Sequence, residues 1–252
     1  MASSSLPIRV REVWQHNVPF EIRQIRESIS QFPFASINSG AAIQLSGAPQ
    51  SPEQFYAELK LKIDAANVVQ IGLTLADASG NLPTLGTSFQ YIWNFNFLSD
   101  RDLHSSESID IYRQGIESSY FAFLFKISLL GFSRTLTWIS FQGAFDFGLL
   151  VRILSQRPLP EDSIGFRELV RVYFGRAVFD LKKRFRLDWE LDRAARSLGL
   201  NRAAQSLEMN PAVGQSRRTG SDSLLTMQVF LELKKRYGVE IQDDNYVGLS
   251  KL

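Results

Sequence analysis

The chain has no cysteine and only two histidines, His16 and His104, among 252 residues. No disulfide, no thiol nucleophile and no thiolate zinc site can be built from it. Two histidines cannot form a three-histidine metal centre. They lie far apart with no partner pattern, so both read as surface or structural residues. An excess of one charge is lacking too: 28 Lys and Arg stand against 26 Asp and Glu, a formal net of +2. Charge alone therefore signals no nucleic-acid tail. Long apolar runs are missing as well. The most apolar stretch, Phe121 to Phe132, contains Lys126. It is too short to span a bilayer and predicts a buried helix. The opening MASSSLPIRV has no apolar run of signal-peptide length. A soluble protein with no membrane partner is expected, in the cytoplasm first and the nucleus second.

What is present is the balance of a folded chain, 44% hydrophobic and 21% charged. Between Arg9 and Phe32, Val13, Ile22, Ile25 and Ile29 recur at roughly helical spacing, interrupted near Pro19. Phe34 to Ile37 reads as a strand bounded by Pro33 and Asn38, with Ala41 to Leu45 as a hairpin partner. Ser51-Pro52-Glu53-Gln54 is a helix start, with a Ser cap and Pro in the first turn. That helix runs through Leu59 and Ile63. Val68–Leu75, Tyr91–Phe97, Leu136–Phe141 and Ala177–Phe179 read as strands, with a turn at Gly80-Asn81. Helices are predicted over 145–154 and 166–173, from Glu190, from Asn201, and over 221–237. Strands early and helices late predict one α/β domain over residues 9–252, a central mixed sheet flanked by many helices, after a flexible 1–8.

Few residues announce chemistry. There is no Walker loop and no dinucleotide-type glycine fingerprint. Asp146, between Phe145 and Phe147 just past a strand, reads as a helix cap ahead of a metal ligand, and Asp180 shares that ambiguity. Gly220 to Ser223 reads as a helix cap. Lys182, Lys183, Arg184, Arg186, Arg193, Arg196 and Arg202 form a basic-biased stretch diluted by Asp188, Glu190 and Asp192. Such a run is usually a solvated face, and an RNA-binding patch is the second reading. Tyr91, Trp93, Phe95 and Phe97 read as core ahead of a base-stacking platform.

Taken together, VREVW (Val10–Trp14), VVQIGLTLADASGNLP (Val68–Pro83), WNFNF (Trp93–Phe97), TWISFQGAFDFGLL (Thr137–Leu150), ELVRVYF (Glu168–Phe174), VFDLK (Val178–Lys182), TGSDSLLT (Thr219–Thr226) and IQDDNYVGL (Ile241–Leu249) resemble the Caf/Pop family of poly(A)-specific ribonucleases. These are deadenylase subunits of the CCR–NOT complex, of the DEDD exonuclease type. The resemblance implies an RNase H-like fold and, in active members, two divalent ions held by four carboxylates. It implies Mg²⁺ for those members and, for this chain, CCR–NOT scaffold or nuclease subunits and RNA as partners.

The family pattern places an Asp and a Glu on the first strand, where this chain has Asn38 and Gly40. The third acid is present as Asp146 and the fourth as Asp222. The general-base His, five residues before the fourth acid, is Arg217, and a His ahead of the third acid is Gln142. No acid lies between Glu27 and Glu53 to stand in. A guanidinium does not deprotonate in proteins, so Arg217 cannot act as a base. Losing two acids and gaining an arginine raises the formal charge of the site by about three units, which opposes divalent cations. The resemblance therefore implies a pseudo-deadenylase with no cofactor, which binds or regulates in mRNA decay. Two alternatives stand beside it: weak 3′–5′ exoribonuclease action with one ion on Asp146 and Asp222, and an RNA-binding module using Lys182, Lys183, Arg186, Arg217 and Arg218. Between Gln114 and Thr137 the chain is shorter than the family pattern and carries apolar Tyr120 to Phe125, in a region where the family's helix contributes to scaffold docking. Core repacking is the first reading there, and an altered interaction surface the second.

Overall fold

The computed structural model describes residues 6–40, 51–98, 114–182, 199–209 and 219–237. Six strands form one mixed sheet: β1 (Ile8–Val13), β2 (Phe34–Ser39), β3 (Gln70–Ala76), β4 (Gln90–Asn96), β5 (Thr137–Ser140) and β6 (Val178–Asp180). Their order is β1-β4-β3-β2-β5-β6. β3 runs antiparallel to both its neighbours, and the remaining pairs are parallel. The described helices are α1 (Val18–Ser28), α2 (Pro52–Ala65), α3 (Ser118–Ser128), α4 (Gly143–Ser155), α5 (Ser163–Phe174), α6 (Leu200–Ser206) and α7 (Thr219–Tyr237). None of them is long and apolar enough to cross a membrane.

Two apolar cores lie on the two faces of the sheet. One gathers α1 to α5 around Trp93, Phe97, Phe147 and Phe174. The other sits under α6 and α7 around Phe34, Ile139, Phe179 and Phe230. β2 shows how the period of two divides its side chains. Ala35 and Ile37 enter the first core, while Phe34 stacks 5.7 Å from the Phe230 ring of α7.

The α2 start is as predicted: Gln54 donates its N–H to the Ser51 hydroxyl, with Pro52 opening the helix. The turn after β3 is built by Asp77, whose carboxylate accepts the N–H groups of Ser79 and Asn81, and Gly80 adopts φ +87. The predicted Tyr91–Phe97 strand is β4, and its aromatics are buried.

The helical reading from Arg9 is corrected over its first part. Residues 8–13 are the edge strand β1, with Ile8, Val10 and Glu12 alternating against Arg9 and Arg11, and only Val18–Ser28 is helical. The strand runs beside β4, and Glu12 lies opposite Asn94. Arg11 joins β1 to α1 through two 2.7 Å hydrogen bonds to Glu21. Glu21 is buried and also accepts from the Trp93 indole at 3.0 Å. A buried carboxylate is tolerated here because its oxygens are bonded. The expected hairpin partner at 41–45, the helix from Glu190 and His104 lie outside the described residues; His16 is exposed.

The apolar segment Tyr120–Phe125 divides between the two readings. Phe121 packs edge-on against Phe95 and Phe97, at 5.3 and 5.1 Å, and Phe125 meets Trp138 and Phe174. Phe123 and Ile127, one turn apart on the outer side of α3, are 56% and 61% exposed. The segment is therefore core on one side and an apolar surface on the other.

Candidate active site

The ends of β2, β5 and β6 and the N-termini of α4 and α7 converge on one rim of the sheet. Parallel pairing sets Ile37 opposite Ser140, and Ser140 opposite Asp180. On the antiparallel side, Asn38 lies opposite Gly72, which in turn lies opposite Asn94. At this rim β2 carries the positions where the resemblance expects the first two acids. Alternation along the strand separates their neighbours. Ser36 donates its hydroxyl to the Ser223 carbonyl of α7 at 2.7 Å, and Gly40 faces Thr219 of the same helix. Asn38 shares that α7 face. Ser39 turns the other way, to Asp146 of α4.

Asp146 lies in the first turn of α4 and is buried. One of its oxygens accepts both the Ser39 N–H, at 2.9 Å, and the Ser39 hydroxyl, at 2.6 Å. The other accepts the Ser140 hydroxyl. Burial pushes its carboxyl above the ordinary 3.8; the hydrogen bonds from Ser140, Ser39 and Gln142 pull the other way without cancelling it. The cap reading for Asp146 is corrected: Gln142 occupies the cap position, without a side-chain cap bond. Asp180 supplies what the cap does not, accepting the Gly143 N–H at 3.1 Å. It thus serves the orphan donors of the helix start from a neighbouring strand.

Asp222 lies in the first turn of α7, and burial raises its carboxyl too. The cap reading for Gly220 to Ser223 is also corrected, because the helix already includes Thr219. That start is fixed onto the sheet by hydroxyls. Ser223 shares a 2.8 Å bond with Thr74 and donates to the Gly220 carbonyl. Thr219 donates its hydroxyl to the side-chain amide oxygen of Asn94 at 2.5 Å. Asn94 and Asn96 in turn donate to Glu12, and Gln70 donates to Asn96. The helix start lies so low on β3 that a Cβ at Gly72 would stand 2.0 Å from the Thr219 carbonyl oxygen. Only glycine admits that approach.

A pair of divalent ions needs several anionic oxygens aimed at one point. Asn38 can offer a neutral carbonyl oxygen, Gly40 has no side chain, and both Asp146 oxygens already accept protein donors. Among the described residues no three of His, Cys, Asp and Glu stand together as a metal would require. Lys182 is described; Lys183, Arg186, Arg217 and Arg218 lie outside the described residues, so the basic patch does too. Ser39, Ser140 and Thr219 were not singled out in the sequence. The only signal was a hydroxyl residue between Asn38 and Gly40, and another six residues before Asp146.

No family model matches the chain. Over 251 residues it is 35% identical to "Probable CCR4-associated factor 1 homolog 7" of Arabidopsis thaliana, covering 91% of this chain and 88% of that one. It is 30% identical to the poly(A) ribonuclease pop2 of Schizosaccharomyces pombe, over 90% of this chain and 70% of that one. The solved structure of S. pombe Pop2p in its Mg²⁺- and Mn²⁺-bound form superposes with a TM-score of 0.78 at 28% identity, covering 95% and 99% of the two chains. CAF1, in the structure of the yeast NOT1 MIF4G domain co-crystallized with it, superposes with a TM-score of 0.74 at 29% identity, covering 90% and 88%. Similarity of this extent, in sequence and in fold together, places the chain in the CCR4-associated factor 1 and Pop2 family of poly(A) ribonucleases, with their RNase H-like fold.

Proposed function

We propose that this chain is a deadenylase-fold protein that binds without cleaving: an inactive member of its family, acting in mRNA decay through the partners it occupies. One observation carries this reading. The two β2 positions where the resemblance expects acids are Asn38 and Gly40, while Asp146, at the start of α4, is closed off by Ser39 and Ser140. An ion would have to strip those hydrogen bonds and would gain one carboxylate in return. Arg217, at the position of the general base, adds positive charge and accepts no proton. Incubating the chain with labelled oligo(A) and Mg²⁺ or Mn²⁺ tests the proposal. The expected result is no trimming with either ion; trimming at the rate of an active relative overturns it.

A second reading, weak exonuclease action with a single ion, is favoured by Asp222 alone. Its carboxyl is raised by burial. One carboxylate holds Mg²⁺ poorly, so this reading ranks below the first.

For a partner we propose the scaffold of the CCR–NOT complex. A relative of the same fold was crystallised with the NOT1 MIF4G domain. On this chain α3 presents Phe123 and Ile127 to solvent, a pair of the kind that protein interfaces cover. Such a chain would hold a place on the scaffold that an active paralogue otherwise fills.

A further inference from the structure

The missing glutamate at position 40 has left no gap. A Cβ built on Gly40 would stand 2.8 Å from the Thr219 γ-methyl, 3.3 Å from the Gln70 Cβ and 3.4 Å from the Gln70 carbonyl oxygen. The first is a contact a real Cβ does not make without displacing a neighbour, and the two to Gln70 are tight. Gln70 cannot withdraw easily, because its backbone carbonyl accepts the Gly40 N–H at 2.8 Å and its amide donates to Asn96. The methyl of Thr219 is no freer. Threonine is branched at Cβ, so any rotation that swings the methyl aside also moves the hydroxyl. That hydroxyl is bonded to Asn94, whose amide is bonded to Glu12. Nor can the backbone of Thr219 retreat along the sheet without losing its seat over Gly72 and the Ser223 bonds to Ser36 and Thr74.

We propose that Thr219 is the residue that seals the vacated acid position: its methyl occupies the space a side chain at position 40 would need, and its hydroxyl locks that methyl in place through Asn94. This rests on the reading of the site as inactive and deepens it. The site is closed by shape as well as short of two acids, and restoring the strand acids alone does not reopen it. Gly40 and Thr219 form one steric pair, and Thr219 acts on metal binding only through position 40.

A double-mutant cycle separates this from a generic effect of filling a glycine. Gly40→Ala is made in the native chain and in Thr219→Ser, which keeps the hydroxyl and removes the methyl. In the native chain Gly40→Ala lowers the melting temperature by about 3 °C or more. In the Thr219→Ser background the loss disappears, because the backbone effect of alanine is common to both arms. The same loss in both backgrounds overturns the pairing. A second readout is Mn²⁺ affinity by calorimetry, comparing Asn38→Asp/Gly40→Glu with the triple variant that adds Thr219→Ser. The triple variant binds at least about tenfold tighter, a factor of ten being about 1.4 kcal/mol. Equal affinity, or binding by neither, shows that Thr219 is not what keeps the site shut. The proposed inactivity is decided on the native chain by oligo(A) cleavage, so the two can fail separately.

Discussion

Ser39 donates twice to the same oxygen of Asp146, through its backbone N–H at 2.9 Å and its hydroxyl at 2.6 Å. With Ser140 on the other oxygen, Asp146 joins the ends of β2 and β5 to the start of α4. An acid placed this way is a structural strut, and its removal is expected to register in stability.

Asp146→Asn keeps one oxygen for the Ser39 donors and offers an N–H to the Ser140 hydroxyl, so it should change stability by less than about 1 kcal/mol. Asp146→Ala leaves the Ser39 N–H and two hydroxyls without their acceptor in a buried place and should cost about 2–4 kcal/mol. Urea unfolding of the two variants checks the pair. An alanine variant as stable as the native chain contradicts the strut.

The same carboxyl gives a pH signature. Its pKa is raised in the folded state, so the folded chain holds the proton more tightly than the unfolded one. The stability it contributes is fully present below its ordinary 3.8 and is lost as pH rises through the raised value. Asp146→Asn should therefore lack a decline that the native chain shows as pH rises above the ordinary 3.8 of this carboxyl. Asp222 is shifted in the same direction, so Asp222→Asn is the companion measurement. If native and Asp146→Asn stabilities run parallel with pH, the burial assigned to this carboxyl is wrong.

Docking on the scaffold should depend on the outer side of α3. Phe123→Asp combined with Ile127→Asp alters two exposed positions, so the fold should lose no more than about 0.5 kcal/mol. Binding to a NOT1 MIF4G domain should weaken at least about tenfold in a pull-down or titration, consistent with loss of apolar anchors worth 1.4 kcal/mol or more. Unchanged binding places the interface elsewhere.

Thr226 lies fully buried in α7, and its hydroxyl has no hydrogen-bond partner among the described residues. Thr226→Val replaces that hydroxyl with a methyl of similar size and should stabilise the chain by about 1 kcal/mol. A raised denaturation midpoint with an unchanged slope is the expected measurement.

Much of this architecture could be read from residue patterns. The Ser51-Pro52 start of α2, the aromatic β4 and the Asn38/Gly40 loss all stood in the sequence because each is a local signal. Grouping Val13 with Ile22, Ile25 and Ile29 is what misleads, since nine residues before Ile22 puts Val13 about half a turn out of helical phase. The alternation of Ile8 and Val10 with Arg9 and Arg11 was the better guide, since an edge strand carries charge on its open side. The closure of the site was not legible at all. Ser39 and Asp146 are 107 residues apart, and Thr219 meets Gly40 only because β2 and β3 pair with Asn38 opposite Gly72. No spacing within one segment encodes such a meeting.

The Ser36–Ser223 bond spans 187 positions, and the Thr219–Asn94 bond spans 125. During synthesis at about 5–20 residues per second, β2 leaves the ribosome roughly ten seconds or more ahead of the helix that covers it. Until then Ser36, Thr74 and Asn94 face water or whatever else is near, on strands whose apolar neighbours Phe34 and Ile92 are also bare. The nascent chain thus carries half a core that only its last described helix can finish. A truncation ahead of Thr219 should make it a client for chaperones and proteases, and should not leave a smaller stable domain.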